Sequence, residues 1–178
     1  EAQTLEEKLL EVYHSKDTAD IYALWDQVLT EILASAEEVS WEDNILYTFG
    51  VDIAPDKERY GMILKTGYLD MIPRNAFVKE GIIYWFDQEW TLENVPAGFV
   101  LYRALLRFYC SYEEANQTLP LSELARRYGL AAGWRDYRQL ESLFFGVVTD
   151  AAHMAESEAF CGDVRKACLE SIARITGR

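Results

Sequence analysis

Asp70, Asn75 and Asp87 are oxygen-bearing residues spaced so that a folded-back pair of strands would gather them. Pro73 keeps Ile72 out of helix and holds the segment before it extended. Asp70 and Asn75 are therefore expected at opposite ends of a rigid loop that enters a strand. The apolar run Ile82-Ile83-Tyr84-Trp85-Phe86 ends directly at Asp87. A hairpin brings the residues leaving its two ends together, so Asn75 and Asp87 become neighbours with Asp70 one loop-width away. Two carboxylates and an amide oxygen form a hard-oxygen site suited to Mg²⁺. Glu89 adds a further carboxylate beside Asp87, where a cation would relieve the repulsion. The same residue types also cap turns, which is the competing reading of the trio.

The elements that must position these residues can be placed from periodicity. Thr4-Leu5-Glu6-Glu7 fits a capping box opening a first helix with Leu5, Leu9, Leu10 and Val12 on its apolar side. Asp17 or Thr18 starts a second helix, running to about Glu38, with Ile21, Leu24, Val28, Leu29 and Ile32 at three- and four-residue steps. From Ser40 to Thr66 periodicity is lost, and Gly50, Pro55, Gly61 and Gly67 punctuate a mixed segment of loop with short elements. A β-hairpin over about residues 76–86, turning at Gly81, is the only sheet expected. Helices return after Pro96: a central buried one from Ala97 to about Tyr112, and a short one over Pro120–Tyr128 stopped by Gly129. Two more follow, at about Trp134–Ala155 and Glu158–Ile175. The expected fold is mainly α with one embedded hairpin.

Asp70 and Asn75 five apart, a short hairpin and an apolar strand ending in Asp87 resemble the catalytic and metal-binding segment of kinase-fold phosphotransferases. The closer likeness is to the aminoglycoside phosphotransferase and choline kinase type, where Pro often stands two places before the Asn, as Pro73 does. The resemblance implies the helical lobe of a protein-kinase-like fold. It makes Asp70 the group that orients or deprotonates an acceptor hydroxyl, with Asn75 and Asp87 holding Mg²⁺ on ATP. Glu89 would assist the metal site or brace the loop. Glu1-Ala2-Gln3-Thr4-Leu5-Glu6-Glu7 is similar to the point where such kinases leave the interlobe hinge. Phe86-Asp87-Gln88-Glu89-Trp90 with Phe99-Val100-Leu101-Tyr102-Arg103-Ala104-Leu105 is similar to bacterial domains attached to glycosyltransferase or methyltransferase modules of cell-surface polysaccharide assembly.

The resemblance implies a sugar or small-metabolite hydroxyl as substrate, and an N-terminal lobe and neighbouring transferase domains as partners. This chain is then a fragment that is inert alone, for want of a glycine-rich loop and a strand Lys. Two departures stand out: Tyr68 where His is usual, and Gln88 where an aromatic is usual. The alternative is an inactive scaffold domain of the same kind of protein.

The 178 residues carry 17 Lys+Arg against 30 Asp+Glu, a formal charge of −13, with half of the residues hydrophobic. That composition suits a single core and disfavours disorder or nucleic-acid binding. Arg126, Arg127, Arg135 and Arg138 lie near a helix–turn–helix pattern that an acidic domain more readily explains as ordinary packing. No apolar run is long enough to cross a bilayer. Cys110, Cys161 and Cys168 are odd in number and read as reduced packing residues, which with the other features points to the cytoplasm. His14 and His153 are too few to build a zinc site. Arg103 and Arg107, one turn apart, are expected to pair with acids near Glu89 or Glu93, and Trp85 and Trp90 to pack in the core.

Overall fold

The computed structural model describes residues 3–48 and 59–148. The expected last helix, Cys161, Cys168, His153 and the Gly50 and Pro55 turn signals fall outside them. The described residues form a mainly helical domain with two small antiparallel sheets.

Strand β1 (Gln3–Thr4) leads straight into α1 (Leu5–Ser15) through the expected capping box. Glu7 N–H donates to Thr4 Oγ1 at 3.1 Å, and Thr4 N–H donates to the Glu7 carboxylate at 2.9 Å. Two of the amides that a helix start leaves unpaired are thus satisfied reciprocally. Lys16, in the left-handed region at φ 59°, ends the helix. Asp17 caps α2 (Thr18–Ala34), accepting from Ala19 N–H at 3.0 Å, and Ile21, Trp25, Val28 and Ile32 form the buried stripe. The helix stops short of the expected Glu38, and residues 37–39 instead bond alongside Ile63–Lys65.

The mixed segment contains a 3-10 turn at Trp41–Asp43, a short α3 (Ile45–Thr48) and strand β2 (Ile63–Tyr68). A second 3-10 turn, Pro73–Asn75, opens the hairpin of β3 (Ala76–Lys79) and β4 (Ile82–Trp85). Lys79 pairs with Ile82, so the loop is the two residues Glu80 and Gly81, both at positive φ (54° and 81°). Such a turn matches the twist of antiparallel strands. Gln27 of α2 donates to the Gly81 carbonyl at 2.7 Å and ties the hairpin tip to that helix. On the other edge, Thr4 of β1 pairs with Phe77 of β3.

The hairpin is not the only sheet. Strand β5 (Thr91–Pro96) pairs antiparallel with β2, Ile63 opposite Pro96 and Tyr68 opposite Thr91. This ribbon requires Gly67, because a Cβ there would lie 2.0 Å from Val95 Cγ1. From β5 the chain enters α4 (Ala97–Ser111), the expected central helix, with 10 of its residues buried. Short α5 (Ala115–Thr118), α6 (Leu121–Arg127) and α7 (Trp134–Val148) complete the described fold. One hydrophobic core joins α1, α2, α4, α6, α7 and β2. Within it Tyr13, Tyr109 and Trp25 share their polar atoms, Tyr13 to Tyr109 at 2.6 Å and Trp25 Nε1 to Tyr13 at 3.2 Å. Cys110 of α4 is disulfide-bonded, where a reduced packing thiol was expected.

Candidate functional site

The loop between β2 and β3 hangs from the buried ribbon and is anchored by its own apolar residues. Leu69, Met71, Ile72 and Pro73 are buried, so the polar residues between them turn to the other side. Leu69 N–H donates to the Trp90 carbonyl at 2.9 Å, extending the β2–β5 ladder past Tyr68. Trp90 N–H in turn donates to Asp70 Oδ2 at 3.1 Å. One oxygen of the Asp70 carboxylate is therefore fixed by backbone.

The Asp70 carbonyl is the hub of the loop. It accepts from Ile72 N–H at 2.7 Å, from Gln88 Nε2 at 2.9 Å and from Asn75 Nδ2 at 3.2 Å. Ile72, extended at φ −117° and ψ 149° as its place before Pro73 requires, delivers the chain into the Pro73–Asn75 turn. The Asn75 carbonyl then accepts from Phe86 N–H at 3.0 Å, one step beyond the Ala76–Trp85 pair. Asn75 thus sits buried beside the residue that precedes Asp87. Asp87 itself has φ 56°, a left-handed conformation that Asp tolerates better than most residues, and it turns the chain out of β4.

Asp70 and Asn75 are in direct contact, and Asn75 is paired by backbone to Phe86. Asp87 and Glu89 are exposed, and neither makes a hydrogen bond or ion pair among the described residues. No group of three or more His, Cys, Asp or Glu side chains among the described residues could hold a metal ion. The available donor set is smaller. With Asn75 Nδ2 committed to Asp70, its amide oxygen is the atom left for a ligand, and Asp87, exposed, follows the residue whose N–H pairs with the Asn75 carbonyl. Gln88 Oε1 is buried with no hydrogen-bond partner. One carboxylate and one or two neutral oxygens fit Mg²⁺, which commonly takes few protein ligands and completes its sphere with phosphates and water.

Sequence reasoning missed the supports of this loop. Gln88, noted only as a departure from an aromatic, bridges the Asp70 and Phe86 carbonyls, each at 2.9 Å. Arg103 of α4, 4% exposed, donates from Nε to the Leu69 carbonyl at 3.1 Å and so holds the peptide that carries the Asp70 amide. Its other end meets Glu141 of α7 at 2.5 Å, and Arg107 reaches the second Glu141 oxygen at 3.2 Å. The acid paired with both arginines is therefore Glu141, not Glu89 or Glu93. Helix phase predicts a shared face for Arg103 and Arg107, but nothing in the sequence links that face to a residue on α7. Phe144 of α7 packs beneath Arg103 (4.9 Å to the ring centre) and edge-on to Trp90 (6.0 Å). Trp90 is 45% exposed and not a core residue. Burial pushes the Arg107 guanidinium below its usual range; Glu141 opposes this, while Arg103 and Arg74 add to it.

Fold and site together define a mainly helical domain in which an oxygen-rich loop is clamped between two antiparallel ribbons. No known family model, curated protein or solved structure matches the chain. No helix among the described residues is long and apolar enough to cross a membrane.

Proposed function

We propose that this chain is the helical lobe of a kinase-like phosphotransferase of the aminoglycoside phosphotransferase and choline kinase type. The observation that supports this best is the contact of Asn75 with the Asp70 carbonyl, made while Asn75 pairs through its own carbonyl with the residue before Asp87. Asp70 orients or deprotonates an acceptor hydroxyl, and the Trp90 N–H holds one carboxylate oxygen so that the other faces the acceptor. Asn75 and Asp87 are the residues that hold Mg²⁺, with Glu89 assisting. When bound, the ion neutralises charge on the nucleotide phosphates and positions them.

The acceptor is a hydroxyl of a sugar or small metabolite, within a protein of bacterial cell-surface polysaccharide assembly. The parent protein supplies the N-terminal lobe and neighbouring transferase domains, and the lobe alone is inert. Titration of Mg·ATP into the full-length protein should give saturable heat that Asp87→Ala abolishes. Equal heats for the two proteins, or none, would sink the reading.

A second reading is an inactive scaffold of a glycosyltransferase or methyltransferase protein. It is favoured by the half-exposed Tyr84 and Phe86, stacked on Phe77 at 5.1 Å and 6.3 Å along the outer face of the hairpin. Such a face suits packing against another domain.

A further inference from the structure

Four arginines among the described residues lie over an aromatic ring, and each of them is also ion-paired with a carboxylate. Arg59 lies over Tyr60 and pairs with Asp136. Arg103 lies over Phe144 and Arg107 over Phe145, both paired with Glu141. Arg127 lies over Tyr22 at 4.5 Å, while Asp26 takes its Nη2 at 2.7 Å. The arrangement has one physical reason. A ring face attracts the guanidinium, and stacking leaves the in-plane N–H groups free for a carboxylate.

The outer face of the β3–β4 hairpin has the same parts and no arginine. Phe77, Ile82, Tyr84 and Phe86 share this face, because alternate residues of a strand point the same way and Phe77 pairs with Tyr84. Tyr84 and Phe86 both stand on β4 and both stack on Phe77, at 11° and 26° between ring planes. Each therefore turns one ring face to Phe77 and the other outward, and they are 42% and 43% exposed. Among the described residues no guanidinium lies over any of these three rings. Asp87 follows Phe86 directly and Glu89 comes two residues later, both exposed and without a hydrogen bond or ion pair among the described residues. The charge of the segment is negative on balance: residues 70–90 carry Asp70, Glu80, Asp87 and Glu89 against Arg74 and Lys79. A second copy of the chain, itself at −13, would set these carboxylates against their own kind.

We propose that this face docks a basic segment of a partner protein, whose arginines stack on the outward faces of Tyr84 and Phe86 and pair with Asp87 and Glu89. The proposal names a partner for the face on which the scaffold reading rests, and it does not require the chain to be inactive.

The test titrates the protein into a fluorescent synthetic peptide of alternating arginine and serine, read by anisotropy at constant ionic strength without nucleotide or magnesium. Saturable binding is expected. A citrulline peptide keeps the planar shape, loses the charge and should bind about tenfold more weakly. A lysine peptide keeps the charge, loses the plane and should fall between the two. Tyr84→Ser and Phe86→Ser leave the net charge unchanged and should each weaken arginine-peptide binding about fivefold. Glu89→Gln should weaken it about threefold. Tyr47→Ser, at a ring 48% exposed elsewhere, and Glu113→Gln should bind as wild type does. Circular dichroism checks that the serine variants fold, and the peptide comparison on wild type needs no variant. No saturable binding, equal binding of the arginine and citrulline peptides, or unchanged affinity in both serine variants overturns the proposal. Self-association lost in Phe86→Ser, measured by sedimentation, would give the face to a second copy and also overturn it. So would binding of a neutral glucan oligosaccharide that Phe86→Ser abolishes. Absence of both peptide binding and Mg·ATP heat removes this partner and leaves the scaffold reading. Peptide binding together with Mg·ATP heat that Asp87→Ala abolishes removes the scaffold reading and leaves the docking face standing.

Discussion

The two antiparallel ribbons flank one loop but are held by different means. β2–β5 lies against α4, with Ile63, Leu64 and Val95 buried and Gly67 lacking the Cβ that Val95 would strike. β3–β4 turns through two left-handed residues, shows Ile82, Tyr84 and Phe86 on its open face, and touches α2 through one hydrogen bond at its tip. Asp70 hangs from the first ribbon, while Asn75 and Asp87 flank the second. Asp70 is thus mounted on the buried ribbon, and Asn75 and Asp87 at the ends of the hairpin whose outer face is open.

Removing the brace of the buried ribbon should have the largest effect. Arg103→Met strands Glu141 in the core without its closer partner, and denaturant unfolding should show a loss of about 3–5 kcal/mol. A change below about 1 kcal/mol would mean that Arg107 alone satisfies Glu141.

Next comes a matched pair of glycines. Gly67→Ala drives a Cβ into Val95 and should cost about 3 kcal/mol, whereas Gly81→Ala meets no neighbour and costs about 1 kcal/mol for its left-handed backbone. Equal losses in chemical denaturation would erase the distinction between the ribbons.

The smallest expected effect is at the edge of the outer sheet. Thr4 both pairs with Phe77 and caps α1, and its backbone and side-chain hydrogen bonds hold the Glu7 carboxyl below the usual value of 4.5. A carboxylate whose pKa is lowered by folding stabilises fully above its unfolded value, and that gain is lost as pH falls through the lower folded value. The melting-temperature difference between wild type and Glu7→Ala, which removes the carboxylate that the Thr4 N–H holds, should therefore be largest near neutral pH and shrink below 4.5. A difference constant with pH would show that the Glu7 carboxylate plays no part in the cap.

Legibility in the sequence follows the distance over which each interaction acts. The capping box, the stripe Ile21–Val28–Ile32 and the Gly81 turn are local, and their residues state them outright. β2–β5 joins Tyr68 to Thr91 across the whole hairpin. Its own residues, with Gly67 in one strand and Pro96 ending the other, look like loop punctuation. At the site, Pro73 and the hairpin foretell that Asn75 and the end of β4 meet. The support from Arg103 and Glu141 is invisible, because it depends on how α4 and α7 cross. The acceptor role of the Asp70 main-chain oxygen is hidden for a simpler reason: sequence patterns speak of side chains.

That oxygen has a consequence for how the loop can move. The peptide before Asp70 is held by Arg103 and the peptide after it by three donors, so neither plane can rotate without breaking a hydrogen bond in or beside the core. Peptide-plane flipping, a common way for a loop to switch between competent and idle forms, is closed to this one. The loop is thereby a fixed template around Asp70.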